Sequence, residues 1–547
     1  MRRIALSGAF AALLAFAFAA PASAAGVGGR VLASRGDPFA ACVGVGADPA
    51  FGGVNNPNAE VEPFIAENPA ATRNLVATWQ QDRWSDGGSK GLVAGWSADG
   101  GRSWHDSVLP YSACAASSGT QVAPFDRASD PWVSIGPDGK AYNQGLVFNA
   151  NDNHNGVAAV TSVDGGRTWQ NLRLQIDDSA SDPTVPVDDK NSITADPRLP
   201  GFAYGVWDRI SIVPCGAASA PRHAPEFDDH PAVAGAFAAN AAPVCTVGPT
   251  FLSRTTDGGR TWETARVIVP VAVNEQTIGN VIVANPRTDT LFDFFDFIDV
   301  NGGLHADQEF SLDHGVTWSQ PQRIGDIDTA ALQAGRGGVV DPRNPNNQFR
   351  TGDILPEPAI DPRTGRLYVV WQDARFNGGA NDQVVISTSG DPLGRTGSWT
   401  APTLVSPKGD PAAFNASVAV NRDGQVAVLF QDFRNIGSAP ASVLPTTTFV
   451  RVASGPSFDF DRETQVSRPF NFLAAPRAGG FFVGDYNAIV ASPRTGGFSA
   501  VFGATDCADT RCTAIANPTG APTGGLDPTD IFTNRVAGGA DDGNGQD

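Results

Sequence analysis

The sequence is short of basic charge, of methionine and of long apolar runs, and no pair of its cysteines has a two-residue spacer. Each shortage closes off a class of function. With 38 Lys and Arg against 57 Asp and Glu, the 547-residue chain has a formal charge of −19, the wrong sign for nucleic acid or an anionic membrane surface. Beyond the N-terminus no apolar stretch reaches the roughly 18 residues that a membrane-spanning helix needs. The cysteine spacing disfavours a zinc knuckle. What the chain does have is 61 Gly and 41 Pro against one Met, with short apolar runs between turn signals. That composition favours strands over helices and reads as an all-β protein.

The N-terminus joins Arg2 and Arg3 to an apolar run from Ile4 to Ala20 and the small-residue stretch Pro21-Ala22-Ser23-Ala24. Residues 1–24 therefore read as a secretory signal peptide, and the expected location is extracellular or periplasmic. In that compartment an even set of cysteines implies disulfides. Cys42, Cys114, Cys215, Cys245, Cys507 and Cys512 allow fifteen pairings. Proximity along the chain favours Cys215 with Cys245 and Cys507 with Cys512, leaving Cys42 for Cys114. Residues 537–547 are small and acidic and are expected to be disordered.

Four copies of one pattern organise the rest: Ser97-Ala-Asp99-Gly-Gly-Arg-Ser-Trp104, Ser162-Val-Asp164-Gly-Gly-Arg-Thr-Trp169, Thr255-Thr-Asp257-Gly-Gly-Arg-Thr-Trp262 and Ser311-Leu-Asp313-His-Gly-Val-Thr-Trp318. Each reads as a hairpin turn in which Asp accepts backbone N–H groups, Gly supplies positive φ and Trp anchors the hairpin. This is a folding device, not chemistry. Around each copy a first strand, an apolar second strand ending in an aromatic and Asp, and a third strand recur. First strands are expected to open at Glu62, Asp130, Asn191, Thr277, Glu357, Phe414 and Gly484, which makes seven units. The last unit ends on a third strand near 530–533. The segment 28–33 is expected to supply its fourth strand and remove an open edge.

The repeated S/T-x-D-x-G-x-S/T-W pattern resembles the Asp box of the sialidase superfamily, over nearly the whole chain past residue 24. The resemblance implies a single β-propeller spanning 25–536, built of four-stranded antiparallel blades, seven in number with six as the alternative, its ring closed by the N-terminal strand. It also implies a secreted, exo-α-sialidase-type glycoside hydrolase acting on terminal acidic sugars of glycans, with no cofactor. Sialidases grip the substrate carboxylate with three arginines, attack with a Tyr activated by Glu, and use an Asp as acid/base. Tyr486, one of five tyrosines, matches the nucleophile, with Glu357 as its activator. Asp86, in Trp84-Ser85-Asp86-Gly87-Gly88, matches the acid/base. Where the family carries Arg-Ile-Pro, this chain has Glu62-Pro63-Phe64. Arg350, with Arg83 or Arg434, is then the candidate carboxylate grip, with Glu62 and Asp485 beside it.

In a four-stranded blade the turn between third and fourth strands lies on the face opposite the opening of the first. The boxes thus mark one face and the candidate residues the other. The recurring Asp-x-Arg pairs, Asp373 with Arg375 and Asp432 with Arg434, also read as structural clamps. Two other functions fit the pattern: a uronic-acid polysaccharide lyase using His223 or His230, or a non-catalytic glycan-binding or scaffold propeller. Asn149 to Gly156 alternates oxygen ligands as a structural calcium loop does but lacks a closing Glu, so a plain polar loop is expected. No metal is expected at the catalytic centre. The expected partner is a glycan or other anionic carbohydrate, bound by a monomer.

Overall fold

The computed structural model describes residues 29–42, 53–118, 122–215, 245–329, 339–409, 412–454, 457–460, 462–505 and 529–538. These residues are all-β, with only short 3-10 turns beside the strands. The basic unit is an antiparallel meander of four strands. The first runs Glu60–Glu67, Leu75–Arg83, Ser89–Ser97 and His105–Val108. The second runs Arg127–Ile135, Ala141–Phe148, Asn155–Ser162 and Gln170–Asp178. A single Ser89–Ala128 pairing joins these two into one sheet. Four further units open with Val187–Ala195, Gln276–Ala284, Glu357–Ile360 and Ala413–Val420.

The last sheet combines the two ends of the chain. Ala488–Ala491, Phe498–Ala504 and Asp530–Val536 are joined by Val31–Leu32 as fourth strand. Val31 pairs with Thr533 and Leu32 with Phe532, and the Ala33 N–H donates to the Ile531 carbonyl at 2.8 Å. The N-terminal segment therefore occupies the edge expected for it. The opening of this sheet differs from expectation, because its first strand begins at Ala488, leaving Asp485 and Tyr486 in the approach to the strand. A two-stranded hairpin, Val340–Asp341 with Asn344–Gln348, precedes the fifth unit.

First strands of successive units lie side by side. Phe64 stacks on Trp132 at 3.7 Å, the Ala195 N–H donates to Ser134 Oγ at 3.0 Å, and Ser192 Oγ donates to the Asn280 carbonyl at 2.7 Å. Gln276–Ala284 then packs on Glu357–Ile360, and that strand on Ala413–Val420. The Ile489 N–H donates to Ser417 Oγ at 3.2 Å. Just past the last first strand, Ser492 Oγ donates to Glu67 Oε1 at 2.7 Å, which returns the order to its start.

The core lies between units. In Leu291–Ile298, Phe292 and Phe294 face the fifth unit through Leu367, Val369 and Val385. Leu291 and Phe295 face the third through Tyr204, Val206 and Leu252. A strand covered on both faces reads as a near-continuous apolar run. One pair interrupts these layers: Asp293 and Glu309 are cross-strand partners, both fully buried, with all four carboxyl oxygens unpartnered among the described residues. Burial first, and the neighbouring Asp293 second, pushes Glu309 up to about 10. The folded protein thus holds a proton that the unfolded chain releases above its ordinary value near 4.5. This contribution weakens stability as pH rises from there toward about 10. Glu309→Gln is expected to raise the melting temperature at pH 8 and to leave it nearly unchanged at pH 4, by calorimetry.

The Asp boxes behave as the sequence implies. Asp257 Oδ1 accepts the N–H groups of Arg260 and Thr261, both at 3.0 Å, and Oδ2 accepts Thr261 Oγ1 at 2.7 Å. Gly258 and Gly259 supply φ of 80° and 78°. The geometry recurs at Asp99 and Asp164. The Thr261 N–H foremost, with the Thr261 and Thr255 hydroxyls, outweighs partial burial and holds the Asp257 carboxyl at about 2. Its stabilisation is present above the unfolded value near 3.8 and is lost as pH falls toward 2. Asp257→Ala is expected to cost about 1–2 kcal/mol at pH 7 and close to nothing at pH 2 in urea titrations. Disulfides join Cys42 to Cys114 and Cys215 to Cys245. The Cys507–Cys512 pairing and the tail after 538 lie outside the described residues.

Candidate functional site

Five first strands carry a β-bulge at the same place, between Val61 and Phe64, Ser129 and Trp132, Asp189 and Ser192, Ile278 and Val281, and Phe414 and Ser417. Each bulge holds a left-handed residue: Glu62 at φ 55°, Asp130 at 49°, Lys190 at 42°, Gly279 at 71° and Asn415 at 52°. Four of these are not glycine, a strain on the order of 1–2 kcal/mol each. Strain repeated at one level of successive sheets marks the place where side chains are turned to a common purpose.

That common target is the segment from Gly484 to Tyr486. Lys190 Nζ donates to Asp485 Oδ2 at 2.8 Å and lies 3.6 Å from Asp130 Oδ2. The Asp485 N–H donates to Glu62 Oε1 at 3.4 Å, and Asn415 Nδ2 donates to the Gly484 carbonyl at 2.8 Å. Gly484, at φ 123°, has no room for a side chain, since a Cβ would sit 2.7 Å from the Glu62 nitrogen. From the loop before the fifth unit, Arg350 clamps Asp485 through Nε to Oδ1 at 3.1 Å and Nη2 to Oδ2 at 2.5 Å. The Lys190, Asp130 and Asp485 side chains are almost wholly buried, so each charge depends on its partner. Arg350 and Arg83 both face the Phe482 ring, at 4.7 and 5.1 Å. Arg83 also donates to Gln80 Oε1 at 3.0 Å, and Gln80 in turn donates to Glu62.

Tyr486 packs its ring 5.3 Å from that of Trp132. Together with Glu357, Lys190 and Trp132 it lines a cavity of about 20 Å³, room for a single water. Its hydroxyl is buried and unpartnered among the described residues. Burial first, then the negative charges of Glu62 and Asp130 against the opposing Lys190, pushes this hydroxyl well above its ordinary value. Burial alone pushes Glu357 up to about 8. Near neutrality both groups therefore hold their protons, and the centre combines a neutral phenol, a neutral carboxylic acid and cations already claimed by Asp485.

No protein-family model and no curated protein matches the chain. Among solved structures it is similar to a Hadza microbial sialidase, at 14% identity and TM-score 0.42, covering 86% of this chain and 74% of that one. A protein of unknown function from Dyadobacter fermentans gives 12% identity and TM-score 0.42, covering 89% and 97%. An α-L-arabinanase of Penicillium chrysogenum, solved with arabinobiose, gives 14% identity and TM-score 0.40, covering 69% and 92%. Likenesses this loose assign no activity.

The structure brings Tyr486 and Glu357 to one cavity, while Glu62, Arg350 and Arg83 gather on the adjoining segment from Phe482 to Asp485 and do not line it. Two candidates lie elsewhere. Asp86 accepts from Arg127 Nη1 at 2.9 Å and is covered by Gly53. The Arg127 guanidinium is buried and needs that counter-charge, so Asp86 is not at the cavity as an acid/base. Arg434 is held by Asp432 and Glu463, both at 2.6 Å, and lies 3.8 Å over Phe449. It closes the clamp of its own unit, as Arg375 does on Asp373 at 2.6 Å. Asp152 caps its own loop by accepting the His154 N–H at 2.9 Å. His223 and His230 lie outside the described residues. Lys190 is the residue that sequence reading misses. Placing the strand opening at Asn191 hides it, although Asp188-Asp189-Lys190 occupies the same bulge position as Glu62 and Asp130.

Proposed function

We propose that the chain is a seven-bladed propeller and that its centre is a glycoside-hydrolase site for an acidic sugar. The propeller reading is supported by the circular order of first strands and by Val31–Leu32 completing the last sheet. The activity reading rests on one observation: an unpartnered Tyr486 hydroxyl and the Glu357 carboxyl line one central cavity beside a buried lysine. An unsatisfied buried polar group costs about 1–3 kcal/mol, and a catalytic role is one reason to keep one.

Asp485 takes the part of a substrate carboxylate. The two-point Arg350 grip with Lys190 is the arrangement such a group needs. A sugar acid replaces Asp485 on these cations, and the departure of that side chain opens the cavity. Tyr486 then attacks the anomeric carbon, its proton passing to Glu62, while the leaving oxygen takes the Glu357 proton. A neutral phenol meets less repulsion from an anionic sugar than a carboxylate does. Glu357, raised to about 8, is suited to donate rather than to accept. Water, deprotonated by the Glu357 carboxylate, then attacks the anomeric carbon, the bond from Tyr486 to the sugar breaks, and the departing phenolic oxygen takes its proton back from Glu62. The exported, disulfide-bonded reading agrees with this extracellular chemistry.

The single-water cavity favours one second reading, a glycan-binding or scaffold propeller without turnover. Fluorophore release from an umbelliferyl sialoside supports the hydrolase. Ultraviolet absorbance of an unsaturated uronide, from a polyuronate, establishes the lyase instead. Neither signal leaves the scaffold.

A further inference from the structure

A larger cavity lies on the Asp-box face, at the seam where the two ends of the chain meet. Its volume is about 180 Å³, compared with about 150 Å³ for an apolar cavity that holds benzene. Its apolar wall is Val31, Ile65, Leu75 and Trp104. Two guanidinium groups, Arg102 and Arg535, belong to its rim, and both residues are exposed. Arg535 lies beside the turn of the first Asp box, where a Cβ on Gly100 would come within 2.8 Å of Arg535 Nη1. The Arg535 side chain makes no hydrogen bond among the described residues, and its charge also acts on the buried Glu67 carboxyl. Ser499, which also lines the cavity, is 2% exposed, and its hydroxyl has no partner among the described residues.

We infer that this cavity binds a small amphipathic carboxylate, of the size of benzoate, with the ring against Trp104 and Leu75 and the carboxylate toward Arg535 and Ser499. The dry wall requires an apolar body, and the two cations with an unused hydroxyl require an anionic head. The three segments that meet here, around Val31, Leu75 and Thr533, are distant in sequence, so the ligand fastens the seam. Binding to the folded chain alone raises the melting temperature in proportion to ln(1 + [L]/Kd).

Benzoate titrated into the full chain is expected to bind saturably, to change Trp104 fluorescence and to raise the melting temperature, while benzamide binds at least tenfold more weakly. Arg535→Ala, at an exposed position, is expected to weaken benzoate about tenfold, the effect of losing one charged contact worth about 1.4 kcal/mol. Ser499→Leu fills the cavity and is expected to remove binding. If that variant does not fold, the Arg535→Ala and benzamide comparisons decide the matter. Benzoate and benzamide binding alike, or benzoate binding unchanged by Arg535→Ala, overturns the inference. No outcome depends on turnover at the central site.

Discussion

Tyr486→Phe is expected to lower turnover of an acidic glycoside by on the order of 10³-fold or more, the scale of losing a nucleophile, with a melting temperature that is raised rather than lowered. The two halves of this prediction come from one observation. The hydroxyl has no hydrogen-bond partner among the described residues, so its removal takes away no protein contact and relieves a desolvated group. Glu357→Gln is expected to behave differently. Losing a proton donor costs about 10² to 10⁴-fold, but only for substrates whose leaving oxygen needs the proton. An aryl sialoside with a strongly acidic phenol should keep most of its kcat/KM, while its kcat falls because the same carboxylate deprotonates the water of the second step. The wild-type rate should fall as pH rises through about 8, where Glu357 loses its proton. A rate that instead rises through this range assigns Glu357 as a base.

Deleting residues 29–40 is expected to lower the melting temperature of the whole body in one cooperative step. The deletion takes away the fourth strand of the last sheet, the Ala33 bond to Ile531 and the buried Phe39 ring, which is 1% exposed. An emptied aromatic site alone costs about 3–5 kcal/mol, and an open sheet edge adds to this. With an unfolding entropy of about 2.1 cal/mol/K per residue, a loss on the order of 5 kcal/mol lowers the midpoint by about 5 °C in a chain of this length. Cys42 remains, so its bond to Cys114 is not a confounder. An unchanged midpoint contradicts the seam.

The architecture was legible because it is written in turns. Asp, Gly and Trp at fixed spacing carry their own mechanism, and the Asp257 hydrogen bonds realise it directly. The pairing of Val31 with Thr533 was legible for a related reason, since an apolar segment without a partner answers a strand with an open edge. The centre was only half legible. Tyr486 and Glu357 could be picked out because each opens or approaches a first strand. Asp86 and Arg434 could not be rejected, because their buried counter-ions, Arg127 and Asp432, come from tertiary packing and adjacent turns. Lys190 stayed hidden because a bulge shifts the register by one residue, and bulges leave no composition signal when the left-handed residue is not glycine.

The most direct measurement is the mass of the tryptic peptide 478–494, in which Tyr486 is the only tyrosine, after the protein is quenched with a fluorinated, slowly hydrolysed sialosyl donor. The account predicts one glycosyl adduct on this peptide in the wild type and none in Tyr486→Phe. An unmodified peptide from protein that releases the fluorophore, or an adduct on any other peptide, contradicts it.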